Sequence, residues 1–172
     1  MIYMPLPMIN LAEIIQVRGK ARFFPRTKSE WFEVLDIDGA NAPGLYIFSL
    51  KAGRGFTPWY VGKAAQQSLR DEITTSDKIL KFNGVVRDNI GTPFLTLIPR
   101  RTKEKESLSK IGRHTDIDDV ETLLIQKCLL KNPSLLNIKK TSIYKNIVIG
   151  GMLNSRQGKP SSAICDFKSV IG

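Results

Sequence analysis

Residues 44–50 constrain the fold most. In Gly-Leu-Tyr-Ile-Phe-Ser-Leu, Tyr46, Phe48 and Leu50 fall on one side of an extended chain. Leu45, Ile47 and Ser49 fall on the other. Residues 51–58 contain Gly53 and Gly55 and read as a loop. Trp59, Tyr60 and Val61 resume as strand until Gly62 breaks it. Two such runs joined by a short Gly-bearing link predict an antiparallel hairpin. Residues 93–100 alternate again, with Phe94, Thr96 and Ile98 opposite Leu95 and Leu97, and supply a third strand. The expected class is α+β: a small three-stranded antiparallel central sheet flanked by helices.

The helices are read from 3.6-residue spacing. Ala65, Leu69 and Ile73 lie four apart and predict a helix from Lys63 or Ala64 to about Ile73. Residues 116–130 give the clearest one. Asp116 or Asp118 can cap it, Val120, Leu123, Leu124 and Cys128 form its apolar face, and Asn132-Pro133 stops it. Shorter helices are expected at 8–17, at 29–35 behind a Ser29 cap, and near the end behind Ser161 or Ser162. Residues 36–43 are turn chemistry. Three regions follow: residues 1–41 as an N-terminal extension packed on the core, 42–140 as the core, and 141–172 as a basic segment ending in a short helix. A chain of 172 residues suits one hydrophobic core.

The net charge is +10 and the sequence pI about 9.8, which favours polyanionic partners. Nucleic acid comes first, with an anionic membrane surface as the alternative. The surplus is uneven, since residues 99–172 hold 14 Lys and Arg against 7 Asp and Glu. Arg18, Lys20, Arg22, Arg26 and Lys28 form a run without an acid, suited to a phosphate backbone or to a solvated loop. Cys128 and Cys165 show neither zinc spacing nor a disulfide framework, and the single histidine, His114, excludes a multi-histidine metal site. No secretion signal or membrane-length apolar run is present, and a cytoplasmic location is expected.

Several side chains could do chemistry. Lys63 and Arg70 are seven apart, about two helical turns, and on the predicted helix they would share one polar face. Tyr46 and Tyr60 stand in neighbouring strands. Glu121 borders the apolar stripe of its helix, where a carboxylate needs a cation or a metal. Each also has a plain structural reading: half-buried strand tyrosines, a solubilising helix face, an acid serving the helix dipole. His114 lies in a charged loop, and Trp31, Trp59 and Phe82 suit core packing better than base stacking.

Taken together, these residues resemble a known family. Gly44-Leu45-Tyr46 followed by Tyr60-Val61-Gly62-Lys63-Ala64 is similar to the paired motifs of the GIY-YIG nucleases, with Leu and Val replacing two Ile residues. Arg70 stands where the family's helix carries its Arg, Glu121 resembles its metal-binding Glu, and Asn137 resembles the Asn that closes its domain. The resemblance covers about 42–140. It implies a divalent-metal-dependent endonuclease acting on nucleic acid, most readily DNA, with one Mg²⁺ or Mn²⁺ on Glu121. Tyr46 or Tyr60 would serve as base or relay, Lys63 and Arg70 as cations for the phosphate, and Asn137 as an orienting residue. A nucleic-acid-binding module with the same fold but no turnover is the alternative. A third reading, a basic face meeting anionic lipid, lacks an amphipathic basic helix to support it.

Overall fold

The computed structural model describes residues 2–3, 9–10, 25, 27–102 and 107–141. The predicted helix near Ser161 and Ser162, the basic run from Arg18 to Arg26, and Cys165 lie outside them. The elements are β1 (Ile2–Tyr3), β2 (Ile9–Asn10), α1 (Lys28–Val34), β3 (Gly44–Ala52), β4 (Gly55–Ala64), α2 (Leu69–Ile73), α3 (Ser76–Asp88), β5 (Thr92–Arg101) and α4 (Asp116–Lys131). The class is α+β. Strand β3 is central and antiparallel to both β4 and β5. The short β1 and β2 add to the far edge of β5, so residues 9–10 are strand rather than the start of a helix. Among the described residues no helix is long and apolar enough to cross a membrane.

The hairpin is longer than the sequence suggests. The expected eight-residue loop shrinks to Gly53-Arg54, with Gly53 at φ 60° in the left-handed region that a tight hairpin turn demands. Strand pairing continues through Phe56, whose ring meets Phe94 edge-on at 5.1 Å. Opposite Phe48 and Ser49 the register shifts, Tyr60 and Pro58 being their partners. Such a bulge suits an edge strand carrying Pro58, which has no N–H to donate.

Nor does Gly62 break β4. It pairs with Tyr46 inside the ladder, and a Cβ there would stand 2.2 Å from the Tyr46 ring. The glycine is therefore space for an aromatic ring, and the strand runs on to Ala64. This overturns the predicted helix start. Lys63 is a strand residue, and the helix behind it is only α2, capped by the Ser68 hydroxyl accepting from the Asp71 N–H.

Each face of the sheet is covered. Tyr46, Phe48, Leu50, Leu95 and Leu97 face one cluster, closed by Trp31 and Leu35 from α1 and its C-cap, Leu69 and Ile73 from α2, and Phe82 from α3. Phe82 stacks on Phe48 with centroids 4.4 Å apart, so it belongs to the core. The sequence reading assigns no element to 74–92, yet Ile79, Phe82 and Val85 form the buried stripe of α3 there. Helix α1 begins one residue before Ser29, and its cap is Thr27, which forms a reciprocal capping box with Glu30.

Helix α4 covers the other face. Its buried residues are Ile117, Ile125, Cys128 and Leu129, while Leu123 is exposed. The predicted stripe is thus rotated, with Val120 and Leu124 only partly buried. Burial pushes the Cys128 thiol up to about 11, as suits an inert core thiol. Arg100, buried on β5, donates to Asp116 at the start of α4 and to the Ser109 hydroxyl. No side chain caps α4 at Thr115; the anchoring ion pair fixes its N-terminus instead.

Candidate active site

The segment after α4 builds one wall of the site by finishing the open edge of β4. Asn132 donates its side-chain amide to the Pro58 carbonyl at 2.8 Å, and the Leu136 N–H donates to the Trp59 carbonyl at 2.9 Å. Asn137 then does the work of a missing strand. Its amide oxygen accepts from the Val61 N–H at 2.9 Å, and its amide nitrogen donates to the Val61 carbonyl at 2.7 Å. At Val61 the exposed ladder edge is thereby closed by one side chain.

Between that wall, β4, α3 and α4 lies a cleft of two lobes, about 450 Å³ and 720 Å³. Tyr60, Lys63, Lys78 and Glu121 line both. Lys81, Asn137 and Lys140 border the first, and Gln67, Glu72 and Asp118 the second. Five of the six residues expected from sequence therefore gather here, counting Tyr46 directly beneath. The sixth, Arg70, does not.

The two tyrosines differ sharply. Their rings are 6.1 Å apart. Tyr46 is fully buried between Gly62 and Phe82, and its hydroxyl has no hydrogen-bond partner among the described residues. Burial first, then the neighbouring Tyr60 and the carboxylates of Glu72 and Glu121, raise its pKa well above the usual tyrosine value. Tyr46 stays protonated at neutral pH. Tyr60 is only partly buried, and both lobes of the cleft reach it.

Glu121 and Asp118 sit one turn apart on α4 and converge on the same cations. The Lys63 ammonium donates to Asp118 and lies 3.2 Å from the Glu121 carboxylate. Lys140 donates to Asp118 at 3.1 Å and to Glu121 at 2.7 Å. It reaches them from a backbone held at φ 64°, the one positive φ among described residues other than glycine. Burial opposes the charge on Lys63, but the hydrogen bond to Asp118 and the nearby Glu121 outweigh it and raise its pKa. The same bonds, from Lys63 first and Lys140 second, hold the Asp118 carboxyl below its usual value.

Arg70 turns out of the cleft. Its Nε and Nη2 donate to the Leu35 carbonyl at 3.0 and 2.7 Å, and Nη2 also donates to Asp36 at 3.0 Å. The guanidinium lies 5.8 Å from the Phe32 centroid. It ties α2 to the end of α1. Because the helix starts only at Leu69, the residue of α2 that reaches the cleft is Glu72, which accepts from Gln67 and pairs with Lys78 at 3.4 Å. Sequence reasoning missed both Glu72 and Lys78. The signal for Lys78 was its place one residue before the Ile79 stripe, visible only once 76–88 is taken as helical. His114 also lies away, its Nε2 donating to the Lys110 carbonyl.

Among the described residues no group of three or more His, Cys, Asp or Glu converges as a metal cage. A Mg²⁺-type site needs less, since one or two carboxylates with water completing the shell suffice. Glu121 and Asp118 fit that donor set, because their oxygens already reach common ammonium groups. Comparisons with protein-family models, curated proteins and solved structures find no match.

Proposed function

We propose that the chain is a divalent-metal-dependent endonuclease hydrolysing phosphodiester bonds of nucleic acid, most readily DNA. The observation that carries this reading is that Tyr60, Lys63 and Glu121 all face one cleft. The resemblance to GIY-YIG nucleases and the net charge of +10 add to it.

In hydrolysis, a bond forms from water oxygen to phosphorus as the bond to the leaving sugar oxygen breaks. The proton given up by water balances the one taken by the leaving group. Negative charge grows on the phosphoryl oxygens, so fixed cations lower the barrier. Lys63 is such a cation, kept charged by its carboxylate neighbours. Tyr60 is the phenol positioned to orient water, since the buried Tyr46 packs beneath it as a rigid floor. Glu121, with Asp118 beside it, would hold a Mg²⁺ or Mn²⁺ ion, which supplies Lewis-acid stabilisation of the leaving oxygen when bound. Lys140 and Lys63 would have to yield those carboxylate oxygens. Asn137 positions the wall by holding Val61.

Purified protein with Mg²⁺ or Mn²⁺ should nick supercoiled plasmid, chelation should stop it, and Glu121→Ala should lower the rate by about 100-fold or more. Equal cutting by wild type and variant, with or without chelator, would refute the reading. One observation favours a second reading, a nucleic-acid-binding module without turnover: Arg70 is turned away and an acid, Glu72, faces the cleft. Salt-sensitive DNA binding with no cutting under any metal would select it.

A further inference from the structure

Arg70 leaves vacant the role of a phosphate-binding cation, and another side chain stands in position to take it. Lys78 is one of the four residues common to both lobes of the cleft. It projects from the first turn of α3, whose buried residues Ile79 and Phe82 fix the helix against the sheet. Its ammonium lies 5.4 Å from the Tyr60 ring centroid. Glu72 at 3.4 Å and Asp77 at 3.2 Å also hold it. Lys81, one turn on, lies 5.6 Å from the same ring. The two ammonium groups share the Asp77 carboxylate beside the Tyr60 ring, and Lys63 lines the same cleft.

The contacts of Lys78 leave it able to change partners. Its carboxylate contacts are side-chain pairs, one of them to an Asp77 that is 61% exposed. The pair with exposed Asp77 is weak enough to exchange for a phosphate oxygen, while the less exposed Glu72 holds the stem in place. Burial works against the charge of Lys78, but Tyr60 and the two acids outweigh it, so the group stays a cation.

We propose that Lys78 is the phosphate-binding cation of this cleft, its ammonium taking a non-bridging oxygen of the phosphate whose attacking water Tyr60 orients. The assignment rests on the endonuclease reading for its role in turnover, while its chemistry, capture of a phosphate group, stands by itself. Lys81 then extends the cationic track toward a neighbouring phosphate of the same strand.

The test compares wild type, Lys78→Gln, Lys78→Arg and Arg70→Gln on two readouts: plasmid nicking with Mg²⁺, and titration calorimetry with inorganic pyrophosphate and no nucleic acid. Lys78→Gln should lose about 100-fold in nicking rate and roughly tenfold in pyrophosphate affinity. Lys78→Arg should keep both within about threefold, since it restores the charge. Arg70→Gln, assayed below its melting temperature, should bind pyrophosphate as wild type does. If Lys78→Gln fails to fold, Lys78→Met, which keeps the aliphatic stem, replaces it. If wild type nicks nothing, the endonuclease reading fails and the pyrophosphate arm still decides on Lys78. Unchanged pyrophosphate affinity in Lys78→Gln, or an equal loss in Arg70→Gln, overturns the assignment.

Discussion

The surroundings of Arg70 and of Lys78 are built from the same parts. Each cation lies over an aromatic ring, Phe32 at 5.8 Å and Tyr60 at 5.4 Å. Each has carboxylate contact, Asp36 for one and Glu72 with Asp77 for the other. The difference lies in what else each meets. Arg70 spends two N–H groups on the Leu35 carbonyl, a backbone acceptor at the end of α1 that lies beyond the helix's own donors. Lys78 meets open volume. A saturated cation fastens the fold, whereas one with room beside it can meet a ligand.

Four variants probe that contrast, from the largest expected effect to the smallest. Tyr60→Phe removes the hydroxyl of a residue that lines the cleft and should cost about 100-fold or more in nicking rate with little change in melting temperature. A rate within threefold of wild type would move the water-orienting role elsewhere. Arg70→Ala strips the Leu35 carbonyl of two donors and should destabilise the protein by about 1–3 kcal/mol, read by denaturant unfolding. Its rate at a temperature where it is folded should remain near wild type. A large rate loss with intact stability would erase the distinction between the two regions.

Asn137→Ala leaves the Val61 N–H and carbonyl without their amide partner and should cost about 1–2 kcal/mol. Crystallography of that variant would reveal whether the wall after α4 still seats on β4. The smallest effect belongs to Tyr46→Phe, which deletes a buried hydroxyl with no partner among the described residues. Stability should be unchanged or slightly higher at pH 7. The pH dependence has a definite sign. The pKa of Tyr46 is raised in the folded state, so its contribution is complete below about pH 10, the unfolded value, and is lost as pH rises toward the folded one. Tyr46→Phe should therefore flatten the alkaline loss of stability above about pH 10, measured by unfolding at several pH values.

Much of the frame was legible in the sequence. The alternation through Tyr46, Phe48 and Leu50 identified the central strand and its inner face, and residues 116–130 identified α4 nearly to its ends. What escaped depended on tertiary contact. Gly62 reads as a breaker because glycine is rare inside strands, but the reason for it is the Tyr46 ring, which local sequence cannot supply. That error carried Lys63 from strand to helix and made Lys63 and Arg70 look like one face. In α3 the apolar stripe of Ile79, Phe82 and Val85 is thin and interrupted by Lys, Asn and Gly, so periodicity alone gave little contrast. Of the site, Tyr60, Glu121 and Asn137 could be picked out by motif. Lys78 and Glu72 could not, because their place in the cleft follows from how α2 and α3 turn.

Side-by-side nicking of supercoiled plasmid in Mg²⁺ by wild type, Lys78→Gln and Arg70→Gln, each verified as folded, tests the assignment of roles most directly. The account predicts that wild type and Arg70→Gln cut at similar rates while Lys78→Gln is slower by about 100-fold. Loss of cutting in Arg70→Gln with Lys78→Gln left active would contradict it.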